Sequence, residues 1–240
     1  MNKKYKSSAE LKALAKERLL GKYGTVIGAS VIVAITVGLL NLLCTVFINT
    51  TTLPGLILQF IMSFVISVLA GLFSSGTSYL YLKISCGRPV TVSDVFYGFK
   101  MAPDKALLIQ LYLSALEYIF MLPMTIFSFL VLLYPHSPII MLVYSLANIL
   151  YLVAIVMVSL IYAQAFYLLH DFPDYSVKQL LTMSRQLMKG NKGRFFYLNV
   201  SFLPIMLLGL LSCGIAFLWL VPYMNAACTE FFLDLIKNNH

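Results

Sequence analysis

Charge is what this chain lacks. Only 11% of its 240 residues are Asp, Glu, Lys or Arg, against 60% hydrophobic. Ordinary soluble domains carry about 25% charged and about 45–50% apolar residues. A soluble fold must show water a large share of its surface, and this composition leaves too little polar surface to do so. From Tyr23 to Leu82 there is no charged residue. Lipid is therefore the expected solvent for most of the chain.

Other scarcities exclude chemistry. The four cysteines (Cys44, Cys86, Cys213, Cys228) form no C-x-x-C pair and lie near no histidine at ligand spacing. No metal site or cofactor is expected. Buried free thiols are the expected state, with a Cys44–Cys213 disulfide as the alternative. The three histidines sit in an outer turn (His136), at the end of an apolar run (His170) and at the last position (His240). All three are expected to be solvated. No Ser, Cys or His stands in a recognisable nucleophile setting, so an enzyme is not expected.

What is present is a set of long apolar runs. A membrane helix needs about 20 apolar residues. The polar, Pro- and Gly-bearing stretch "NTTTLPG" (Asn49–Gly55) divides the first run into spans at 24–48 and 56–82. "YPHSP" (Tyr134–Pro138) divides the second into 106–133 and 139–169, and "GLLSCG" (Gly209–Gly214) divides the third into 194–211 and 214–236. The last division is open, since one overlong span is the alternative. The expected fold is all-α: a polytopic membrane protein of six transmembrane helices in three hairpins. Pro222, followed by Tyr223, falls inside the sixth span, where a kink is expected.

The net charge is +8. Every Lys and Arg lies in the N-terminal segment, the two long loops or the C-terminal end, so both termini are expected in the cytoplasm. With the cations confined to short strips between apolar runs, the expected partners are anionic lipid head groups and not nucleic acid. "SRQLMKGNKGRFF" (Ser184–Phe196) concentrates Arg185, Lys189, Lys192 and Arg194 without an acid. Its "GNKG" lacks the spacing and preceding strand of a nucleotide loop. Gly190 reads as a helix C-cap, and the four cations read as lipid head-group contacts.

The polar segments share a pattern. "SSAE" (Ser7–Glu10), "TVSD" (Thr91–Asp94) and "SVKQ" (Ser176–Gln179) each read as a capping box opening a short amphipathic helix. Each precedes a hairpin, which suggests pseudo-repeats at about 7–82, 91–169 and 176–236 within a single membrane domain. Such helices are expected to lie in the inner membrane interface.

Glu117, Asn148 and Asn225 fall near mid-bilayer in spans three, four and six. An intramembrane carboxylate is costly and normally faces the protein interior. Convergence of the three in one polar cluster is an expectation, with Glu117 either a proton or cation site or a protonated structural group.

"DFPDYS" (Asp171–Ser176), "SRQLMKGNKGRFF", "NVSF" (Asn199–Phe202) and "WLVPYMNAACTEFF" (Trp219–Phe232) resemble the C-terminal signature of the bacterial integral-membrane family known as domain of unknown function 975. "ELKALAKERLLGKYG" (Glu10–Gly24) is similar to its opening. The resemblance implies an all-helical fold in the bacterial cytoplasmic membrane and no particular reaction. The architecture is also similar to the membrane portion of some glycerophosphodiester phosphodiesterases, whose soluble catalytic domain has no counterpart in these 240 residues. The expected function is the non-enzymatic binding or movement of a small molecule, peptide or lipid. The alternative is a structural or assembly partner of another membrane protein.

Overall fold

A computed structural model describes residues 5–50 and 52–239, and among them the regular structure is all helical. The long apolar runs became α2 (Tyr23–Phe47), α3 (Leu53–Ser85), α4 (Pro103–Leu133) and α5 (Pro138–Tyr162). Pro54, Pro103 and Pro138 each stand in the first turn of their helix, where a missing amide donor costs nothing. With 33 residues at about 1.5 Å each, α3 is about 50 Å long, well beyond a hydrocarbon core of about 30 Å. Its second half is the central pole, packing against the first and last helices as well as its neighbours.

That packing depends on small residues in "AGLFSSGTS" (Ala70–Ser78). A Cβ on Gly76 would run into the Val95 carbonyl, and a Cβ on Gly98 into that of Leu72. The 3-10 helix Val92–Phe99 therefore lies backbone to backbone on α3. Small residues permit the close approach that stabilises helix pairs in lipid. Farther out, the buried Ser114 hydroxyl of α4 meets Ser67 of α3 at 2.7 Å and accepts from Gln110 at 3.3 Å.

Two of the expected spans are broken. The fourth is α5 followed by α6 (Ala165–Asp171); the fifth is α8 (Lys192–Val200) followed by α9 (Leu203–Leu211). Pro204 sits at the start of α9 and cannot continue the ladder from α8. A turn with Cys213 at φ 51° and Gly214 at φ 88° then leads into α10 (Phe217–Asn239). The 194–236 region is thus two antiparallel arms divided at the expected "GLLSCG". α10 runs through Pro222.

Five segments are long and apolar enough to cross a membrane: α2, α3, α4, α5–α6 and α8–α9. α10 is the least apolar of the long helices and carries Glu230, Asp234 and Lys237 in its second half. Its end returns to the beginning of α8, where the Arg194 guanidinium reaches the Asp234 carboxylate at 2.9 Å. The Lys6 amide faces the same carboxylate at 3.3 Å, so the two ends of the chain meet on one side of the molecule.

All three capping boxes form: Ser7 with Glu10 ahead of α1 (Ser8–Leu19), Thr91 with Asp94, and Ser176 with Gln179 ahead of α7 (Val177–Met188). The middle one opens the 3-10 helix and not an α-helix. The expected interfacial placement needs correction in one respect: the apolar faces of α1 and α7 turn onto protein, while Phe96 and Phe99 of the 3-10 helix stay exposed. Leu11, Ala15 and Leu19 of α1 are buried in a cluster with Ala227, Phe231 and Leu235 of α10. Leu180, Leu181 and Met188 of α7 are likewise buried.

These short helices also repair the breaks. At Tyr162–Gln164 the Ser184 hydroxyl of α7 donates to the Ile161 carbonyl at 3.0 Å and accepts from the Gln164 amide at 3.3 Å. At Ser201–Phe202 the Lys12 ammonium of α1 donates to the Ser201 carbonyl at 2.8 Å and lies 4.0 Å over the Phe202 ring. A backbone group freed inside an apolar region costs free energy unless another donor or acceptor meets it.

Candidate functional site

A cleft of about 710 Å³ lies between α2 and the α5–α6 break, backed by α3 and α10. Its wall is mostly apolar, but Asn41, Ser74, Thr77, Ser159 and Asn225 bring amide and hydroxyl groups to it. The arrangement follows from the sequence. Gly38 on α2 and Ala70 on α3 leave room, and the turn at Ala163 carries Phe166 and Tyr167 inward. A largely apolar hollow with a few placed polar groups suits a small amphipathic ligand.

Asn225 was expected at the midplane and does face this cleft. Next to it the Tyr81 hydroxyl interacts with the Asn225 and Ser30 side chains. Neither contact reaches hydrogen-bond geometry, and the hydroxyl is buried without a partner. Thr229 donates to the Asn225 carbonyl at 2.9 Å and accepts from the Tyr167 hydroxyl at 3.1 Å. Tyr223 does not line the cleft; its ring meets Phe202 edge-on at 5.1 Å, while Pro222 is buried.

Glu117 and Asn148 lie elsewhere. Glu117 lies close to Tyr151 across the α4–α5 pair. Asn148 donates to the Tyr144 carbonyl of its own helix at 2.8 Å. Neither lines the α2–α5 cleft. Only Asn225 of the three faces the cleft, because position along a helix says nothing about azimuth around the bundle.

The basic strip also divides. Arg194 is a structural tie: besides Asp234 it donates to the Lys6 carbonyl at 2.9 Å and to Asn191 Oδ1 at 3.1 Å, and it lies 4.2 Å from the Tyr5 ring. Its sequence reading as a lipid contact is thereby corrected, since the guanidinium is committed to protein partners. The signal was in the sequence as Asp234, but 40 positions away. Arg185 and Lys189 are exposed and Lys192 half-buried. Gly190 takes φ 82° after α7, as its C-cap reading requires.

His170 overturns its solvated reading. Its Nε2 donates to the Ser75 carbonyl at 2.8 Å, and its ring lies 5.4 Å from Tyr79, which stacks on Tyr97 at 3.7 Å. Nδ1 is buried without a partner. The cysteines are free; Cys86 and Cys213 are exposed, contrary to the buried state expected for them. Near the 3-10 helix, Lys83 pairs with Asp94 at 2.8 Å. Burial alone would raise the Asp94 carboxyl, but the Lys83 ammonium and the Thr91 amide outweigh it and hold the group below its ordinary value. Among the described residues no cluster of His, Cys, Asp and Glu could hold a metal ion.

Five helical segments long and apolar enough to cross a membrane define a multi-pass membrane protein. The chain belongs to the family described as protein of unknown function (DUF975), whose profile matches residues 1–239. Comparison with curated proteins and with solved structures returned no match.

Proposed function

We propose that this is a non-enzymatic protein of the bacterial cytoplasmic membrane that binds, and moves or presents, a small amphipathic molecule in the α2–α5 cleft. In this reading α10 completes a sixth crossing, and the basic end with both termini faces the cytoplasm. One observation carries the proposal: amide and hydroxyl groups of Asn41, Ser74, Thr77 and Asn225 line a mostly apolar hollow large enough for a small ligand. These groups hydrogen-bond a ligand without transforming it.

The test is photolabelling of the reconstituted protein with a diazirine-bearing alkyl amide. Labels should concentrate on peptides carrying Val33–Asn41 and Asn225–Cys228, and Thr77→Trp, which fills the hollow, should reduce them. Even labelling of all lipid-facing helices, unchanged by Thr77→Trp, would sink the idea.

A second reading, as an assembly partner, is favoured by α9. It packs chiefly on the next helix, α10, with Gly209 against the Phe217 ring, and it leaves Leu207, Leu208, Leu210 and Leu211 exposed. A stoichiometric protein co-purifying in mild detergent, and lost on Leu208→Lys, would support that role over the first.

A further inference from the structure

A second hollow lies at the basic end, apart from the cleft. It measures about 520 Å³ and is formed by the start of α4, the end of α5 and one face of α7. Lys178 and Arg185 of α7 stand on its rim, seven residues apart and so two helical turns along one face. Neither makes an ion pair among the described residues, and no carboxylate lines the hollow. In the same wall the Tyr112 and Tyr162 hydroxyls meet at 3.1 Å, their rings edge to face at 5.5 Å. One phenol spends its proton on the other, which leaves the second O–H free to donate outward. The floor is apolar, from Leu108 and Leu181.

We propose that this hollow is a defined site for an anionic phospholipid of the same leaflet. The phosphate would sit between Arg185 and Lys178, with the free tyrosine hydroxyl as a third donor. The upper acyl chain would lie along Leu108 and Leu181. The hollow brings together the three kinds of group a phospholipid needs: cations, phenol hydroxyls and hydrocarbon. Tyrosine favours the membrane–water interface because one end of it is apolar and the other wet. Guanidinium suits phosphate because it presents paired donors in one plane. Arg185 is held at the site by its neighbour Ser184, which locks α7 to the α5–α6 break. The site shares no residue with the α2–α5 cleft, so it does not depend on that reading.

The experiment is native mass spectrometry of the full chain released from nanodiscs of phosphatidylcholine containing phosphatidylglycerol. The wild type should retain phosphatidylglycerol over phosphatidylcholine. Arg185→Gln and Lys178→Gln should each cut that preference about five-fold, the equivalent of about 1 kcal/mol per cation at an anionic surface. Arg185→Lys should keep part of it. Lys189→Gln, on the same strip but outside the hollow, should leave it unchanged. An equal loss with Lys189→Gln would mean diffuse surface charge and overturn the site. Equal retention of the two lipids would overturn it as well. Inorganic phosphate titrated against lipid-free protein in detergent separates the sources: saturable binding lost in Arg185→Gln would make free phosphate the ligand and overturn a lipid occupant. An unchanged thermal midpoint and monodisperse elution in detergent show that Arg185→Gln is folded.

Discussion

The Ser184 hydroxyl donates to the Ile161 carbonyl at 3.0 Å, reaching from α7 into the turn where the fourth apolar run breaks. The same oxygen accepts from the Gln164 amide, so one side chain serves both freed backbone groups. Ser184 is fully buried, and water cannot replace it. Ser184→Ala should therefore cost about 2 kcal/mol, the desolvation penalty of buried groups left without partners. The measurement is the thermal midpoint of detergent-solubilised protein. Ser184→Thr, which keeps the hydroxyl, should lose less than Ser184→Ala.

Arg194 and Asp234 hold the fifth and sixth arms together at their basic end. The Asp234 side chain is only 3% exposed, so removing its cation leaves a nearly buried charge. Arg194→Ala should destabilise by about 2 kcal/mol, at the lower end of values for breaking buried pairs because the guanidinium itself is partly solvated. Arg194→Ala combined with Asp234→Asn should cost less than the sum of the two, which a double-mutant cycle in detergent melting would show.

Gly76 and Gly98 set the contact between α3 and the 3-10 helix. A methyl group at either meets a backbone carbonyl of the other element, which cannot swing aside. Gly76→Ala should destabilise by about 1–3 kcal/mol through overpacking. Gly24→Ala, where a Cβ meets open space in α2, should be neutral or stabilising. The two melting curves give an internal comparison.

Asp94 predicts a pH dependence. Its folded carboxyl titrates below the ordinary value, so the Lys83–Asp94 contact stabilises the fold fully above the unfolded carboxylate pKa. That contribution is lost as pH falls from the ordinary carboxylate range through the lower folded value. Asp94→Asn should lower stability at neutral pH and flatten the acid limb of a stability–pH curve between those values.

Much of this architecture was legible in the sequence, because absence of charge is a signal that survives folding unchanged. The runs from Tyr23, Leu53, Pro103 and Pro138 became helices near their expected bounds, and "GLLSCG" became the turn between α9 and α10. The capping boxes were readable because Ser7 and Glu10, or Ser176 and Gln179, meet within one turn of chain. What was not legible was anything joining distant positions. His170 stood at the end of an apolar run and looked wet, yet its partner is the Ser75 carbonyl, 95 residues away. Arg194 looked like one of four equivalent cations until Asp234 claimed it. Asn225 lines the cleft and Glu117 and Asn148 do not, since no periodicity within one helix reports which neighbour it faces.

The contact between Lys6 and Asp234 spans 228 positions, which bears on how the protein is made. A ribosome finishes α1 long before it reaches the residues that cover it. Leu11, Ala15 and Leu19 must therefore wait at the bilayer surface, sheltered by lipid or by a chaperone, until the last arm arrives. Assembly ends as a clasp closing between the two termini, and a nascent chain stalled before Phe231 should remain open and protease-sensitive at its beginning.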